Sequence, residues 1–145
     1  MTPRHASVAL ALALALALAA CRDRGDPQAR AVLTAYRAFE EAQGDDRKPA
    51  LAALSAVPCA GAVCAARDAC VRYGSALVQA RNLVDKAKTL GPVDAGGNGA
   101  ATPSALAVIV GAADDATKEA AAAEPACEKA ITELAALGGH GGAKR

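Results

Sequence analysis

Aromatic side chains are almost missing from this chain, which has no Trp, one Phe and two Tyr in 145 residues. Tyr36, Phe39 and Tyr73 are too few to build a stacking surface for bases or sugar rings. Histidine is equally scarce: His5 lies in the leading segment and His140 in a glycine-rich end, so neither is placed to serve a hydrolase or a metal. An excess of one charge is lacking too, with 16 Lys+Arg against 15 Asp+Glu scattered along the sequence. That balance leaves no basic stripe for a polyanion, and no nucleic-acid partner is expected. Glu40-Glu41, Asp45-Asp46 and Asp114-Asp115 are paired carboxylates, but adjacent residues on a helix point apart. The middle pair reads as a turn and cap between two helices. Gly96-Gly97-Asn98-Gly99 follows no strand and lacks the lysine of a phosphate loop, so it reads as linker. These absences leave no catalytic set, no cofactor and no metal site, and the chain is not expected to be an enzyme.

What is present begins with the address. Arg4 and the amino terminus precede an apolar run from Val8 to Leu18, almost all Ala and Leu, and then the small pair Ala19-Ala20. This is the layout of a secretory signal, and the run is shorter than the ~20 residues a spanning helix needs. Leu18-Ala19-Ala20-Cys21 resembles the lipobox of bacterial lipoproteins. The resemblance covers about 21 residues and implies that residues 1–20 are removed, that Cys21 becomes the first residue, and that it carries diacylglyceryl and fatty-acyl (palmitate-type) chains. Two or three such chains anchor firmly where one would not. Arg22 stands where an aspartate would resemble an inner-membrane retention signal, so the expected address is the outer membrane, facing the periplasm. Residues 21–26 are expected to form a short tether, ~15 Å when its four middle residues are fully extended, that keeps the domain close to the lipid surface.

From Cys21 onward the chain has 125 residues, enough for one domain, but only 21 are Leu, Ile, Val or Phe. Alanine fills the rest of the apolar quota. It favours helix strongly and contributes little core volume. Four cysteines remain besides Cys21, namely Cys59, Cys64, Cys70 and Cys127, and an even set in an oxidising compartment reads as two disulfides. No CxxC or CxxCH motif occurs. Cys64 and Cys70 lie about 240° apart around a helix and cannot bridge if both are helical. Cys70–Cys127 with Cys59–Cys64 is the favoured pairing. Cys64–Cys127 with Cys59–Cys70 is the alternative, and it requires nonhelical chain before Cys70.

Helical periodicity runs throughout the remainder. Asp26-Pro27 is a cap-plus-proline start for a helix that places Val32, Tyr36 and Phe39 on one face, beside Leu33, and stops at Gly44. A short helix is expected over Pro49 to Val57, with Leu51 and Leu54 inward. The longest begins at Gly61 or Ala62 and runs to Leu90, with Val63, Cys70, Leu77 and Val84 seven apart, flanked by Val71 and Val78, and with Arg67, Asp68, Arg81, Lys86 and Lys88 on its wet side. Residues 91–101 form a flexible linker. Thr102-Pro103 restarts a helix with Leu106, Ile109, Val110 and Ala113 inward. Pro125 breaks or kinks that run, and Cys127, Ile131 and Leu134 resume it to Leu137. The expected fold is therefore all-α: a small bundle of four to five helices over 27–137 with two disulfides, preceded by a cleaved leader and followed by a disordered tail from 138 to 145.

Two kinds of function fit such a chain. One is a membrane-anchored envelope lipoprotein acting as a structural or protein-interaction module, with another envelope protein or a second copy as partner. Charge reversal at Arg67, Arg81 or Lys86 is then expected to disturb the partner and spare the fold. The other is a module holding a lipid or other apolar ligand between loosely packed helices. An exposed apolar strip favours the first; an enclosed Leu- and Val-lined cavity favours the second.

Overall fold

The computed structural model describes residues 25–90 and 102–139. The leader, Cys21, Arg22, the linker 91–101 and the tail from His140 lie outside the described residues. Within them the chain forms four α-helices and no strand: α1 Pro27–Glu41, α2 Arg47–Ser55, α3 Gly61–Thr89 and α4 Pro103–Leu137, with a 3₁₀ turn Gly44–Asp46 ahead of α2. The expected all-helical bundle is what the chain builds.

Both cap-plus-proline starts work as the local chemistry requires. Asp26 accepts from the N–H groups of Gln28 at 2.8 Å and Ala29 at 3.4 Å, and Thr102 Oγ1 accepts from Ala105 N–H at 3.3 Å. Gly44 follows α1 at a φ of 57°, a backbone state that glycine adopts freely. Helix α2 is displaced by two residues from the expected Pro49–Val57, because Pro49 sits in the third position of its first turn, where a missing N–H costs nothing. Asp46 stands at the cap position there but makes no side-chain capping bond.

Helices α3 and α4 form a long antiparallel hairpin that makes up most of the molecule. Along α4 the buried positions Ala113, Ala116, Ala120, Ala123, Cys127, Ala130 and Leu134 step by three and four residues, the spacing of a continuous helix–helix seam. Val63, Ala66, Cys70, Ala76 and Ala80 are the buried apolar residues on α3. Small side chains let the two helices pack closely, but each contact removes little apolar surface from water. The bulkier core lies where α1 and α2 rest on the hairpin. Phe39, Leu54 and Val32 are fully buried there. Gly74 makes this approach possible: a Cβ on it would stand 2.7 Å from Leu51 Cδ1 and 2.9 Å from Phe39 Cζ.

Four expectations need correction. Helix α4 continues through Pro125, so of the expected break or kink the break does not occur; Pro125 is exposed, and the lost hydrogen bond is tolerated because Ala123 and Cys127 on either side are buried in the seam and Cys127 is covalently tied. Val110 is 54 % exposed rather than inward, since the seam passes through Leu106, Ile109 and Ala113. Val84 is likewise 42 % exposed, while Val71, on the side facing α1 and α2, packs on the core. The folded unit also reaches past both expected limits. Asp26 N–H donates to Leu137 O at 3.1 Å, Gly138 is buried, and a Cβ on Gly25 would collide with the Gly138 carbonyl. Gly25, Asp26 and Gly138 therefore close the fold and belong to neither tether nor tail.

Candidate interaction surface

The cysteines are the first site residues that the structure places. Cys70 and Cys127 form a disulfide across the α3–α4 seam, with Cα atoms 4.6 Å apart, and the two residues are 0 % and 1 % exposed. Cys59 and Cys64 form the second, at 5.1 Å, where the chain turns from α2 into α3. Both of its residues are half-exposed. These are the pairs favoured from the helical positions of Cys70 and Cys127. Gly61, at a φ of 54°, lies inside the small ring and lets α3 begin between its two cysteines.

Arg67 belongs to this turn and not to the wet face assigned to it. Its guanidinium donates to Val57 O at 2.9 Å and to Asp68 Oδ1 at 2.7 and 2.9 Å, and its side chain is only 21 % exposed. The segment leaving α2 presents a carbonyl that has no helical partner, and the long arginine stem reaches it from the second turn of α3. Arg81 and Lys86 are exposed as expected, with Arg81 paired to Asp85 at 3.7 Å. Arg67 and Arg81 thus do different work. One fixes a connection, and the other stays at the surface.

On the hairpin itself an open groove runs between α3 and α4, lined by no residue of α1 or α2. Two adjoining depressions of about 320 and 230 Å³ share Ala69 and Ala126. Ala62, Ala65, Ala122 and Ala126 are exposed along it, above a floor of buried Ala66, Ala123 and Ala130. Its rim carries Arg72 with Glu119 at 3.8 Å and Lys129 with Glu133 at 4.0 Å. Such exposed pairs contribute little stability, each below about 1 kcal/mol. They leave both signs of charge beside an apolar floor. The groove is not legible in the sequence, because alanine's helix propensity and small volume do not say which helix faces stay open. Its trace there is the recurrence of alanine on two faces of α3 and α4 at once.

A polar cluster lies where Tyr36 of α1 meets Tyr73 of α3. Burial pushes the Tyr36 hydroxyl well above the ordinary tyrosine range, and the neighbouring Glu40 carboxylate, Tyr73 and Glu128 act in the same direction. Burial also raises Tyr73, followed by Glu40, Glu124 and Glu128, with Arg47 opposing. Both phenols therefore remain protonated donors at neutral pH. A phenol held this far from ionisation is a poor base or nucleophile. Among the described residues no group of three or more His, Cys, Asp or Glu side chains is placed to hold a metal. No described helix is long and apolar enough to cross a membrane.

In comparisons with known proteins, no family model, no curated protein and no solved structure matches this chain, so its architecture and chemistry stand on their own residues.

Proposed function

We propose that this protein is a lipid-anchored cell-envelope protein whose helical domain serves as a non-catalytic interaction module, receiving a helix of another envelope protein along the α3–α4 groove. The address rests on Leu18-Ala19-Ala20-Cys21 below an apolar run, and the partner-binding role on the alanine groove. Exposed alanines along a floor of buried ones admit a helix to close contact, and the flanking Arg72, Glu119, Lys129 and Glu133 suit a partner with both signs of charge beside its apolar strip. The described pockets are open and lined mostly by alanine or by polar and charged residues, which supports docking of a helix more than enclosure of a lipid.

Photo-crosslinking in intact cells tests both parts. A photoreactive side chain at Ala65 or Ala126 is expected to give one discrete adduct that Ala69→Trp, which fills the groove, abolishes. The same probe at exposed Lys86 is expected to give none. Adducts that survive Ala69→Trp in a folded protein refute the groove. Fatty-acid labelling that persists in Cys21→Ser refutes the anchor.

A further inference from the structure

A cavity away from that groove has a different chemistry. Where the Gly44–Asp46 turn and the start of α2 meet the second half of α3, Asp45, Arg47, Lys48, Arg81, Asn82 and Asp85 surround about 350 Å³. Three cations thus face two carboxylates. Asp85 is already shared by Arg81 at 3.7 Å and Lys88 at 3.2 Å. Arg47 and Lys48 form no ion pair among the described residues, and Asp45 is the one carboxylate of the wall not paired there. The uncompensated charge of the pocket is positive.

Arg47 is also held in advance. Its guanidinium carbon lies 5.5 Å from the centre of the fully buried Phe39 ring, a cation–π contact that fixes where the group can point. Its Nε is buried and has no hydrogen-bond partner. A guanidinium that lacks an acceptor is a donor group that an anion can satisfy through its outer amino groups. The opposite wall supplies Arg81 and the Asn82 amide from α3.

We propose that this pocket binds a small phosphate-bearing ligand, with Arg47 and Lys48 on one side and Asn82 and Arg81 on the other. A planar carboxylate satisfies one donor fork. A tetrahedral phosphate offers oxygens to donors that approach from both walls, as they do here. The volume lies at the small end of the ~300–1,000 Å³ usual for ligand sites, so it accommodates a phosphate with a short organic substituent.

The test is an amide-resolved NMR titration of the full chain in non-ionic detergent, with inorganic phosphate at fixed pH and ionic strength, then with glycerol 3-phosphate. Saturable shifts confined to residues 44–48 and 81–85 are expected. Lys48→Glu and Lys48→Gln should both weaken binding, the former by about tenfold or more, the scale of one charge-assisted contact. Lys86→Glu makes the same change of net charge outside the pocket and should alter binding by less than about twofold. Tighter binding of glycerol 3-phosphate assigns the site to an organic phosphate such as a lipid headgroup, and equal binding assigns it to the free ion. Shifts that never saturate, or equal losses in the Lys48 and Lys86 variants, overturn the site.

Discussion

Consider Cys70→Ala with Cys127→Ala, set against Cys59→Ala with Cys64→Ala. The first disulfide joins residues 57 apart in sequence and the second residues 5 apart. If a cross-link acts by limiting the unfolded chain, the long loop contributes roughly 4 kcal/mol and the short one roughly 2 kcal/mol. The difference should survive in the folded protein, because alanine is what the seam uses on either side of Cys127, and the substitution introduces no foreign shape. With a urea dependence of about 2 kcal/mol per M, the midpoint should fall by about 2 M for the long-loop variant and about 1 M for the other. Equilibrium urea unfolding followed by circular dichroism measures both. Limiting reductant should open the half-exposed Cys59–Cys64 before the buried Cys70–Cys127, and differential alkylation with peptide mass analysis reads that order. Equal midpoint shifts, or a larger shift for the short loop, would refute the view that the thin seam depends on its long-range cross-link.

Arg67→Ala, which leaves Val57 O without its donor, should cost about 1–3 kcal/mol in the same unfolding assay, whereas Arg81→Glu at the surface should stay within about 0.5 kcal/mol. Pro125→Ala should stabilise the domain by up to about 3 kcal/mol, since it restores a helical N–H at an exposed position of a continuous helix; thermal denaturation reads the gain. Raised phenol pKa values make the folded state the weaker acid. Stability from Tyr36 and Tyr73 should therefore be fully present below the unfolded tyrosine value of about 10 and be lost as pH rises beyond it. An alkaline titration should show tyrosinate absorbance rising together with loss of helix, and ionisation well before unfolding would contradict the burial of Tyr36.

Much of the architecture was legible because short-range chemistry dominates it. Asp26-Pro27 and Thr102-Pro103 start helices through contacts made within three residues, and nothing distant overrides them. Cys70 and Cys127 could be paired because both fall on apolar stripes, so their meeting follows once the stripes face each other. What failed to read depends on packing between elements. Pro125 looks like a break when only its own helix is considered; the buried residues on both sides hold the helix through it. Arg67 looks solvated on a wheel, yet the carbonyl it serves belongs to a connection ten residues earlier. The groove and the cationic pocket were hidden for the same reason. Alanine says how a helix forms without saying which of its faces stays bare, and Arg47, Lys48 and Arg81 come together only once α2 folds back on α3.

The hydrogen bond from Asp26 to Leu137 puts the two ends of the described fold at one pole of a rod. Leu90 and Thr102 stand toward the other, and the 35 residues of α4 span roughly 50 Å between the poles. A chain fastened through the residues before Gly25 then behaves as a stand-off: the attachment and any extension after Gly139 share the base, and the hairpin end is presented far from it. The clasp also limits leverage. Force applied at the hairpin end reaches the base through two helices pinned by Cys70–Cys127, so the domain resists bending in the third nearest its base and yields first in the longer, untied part of the shaft beyond.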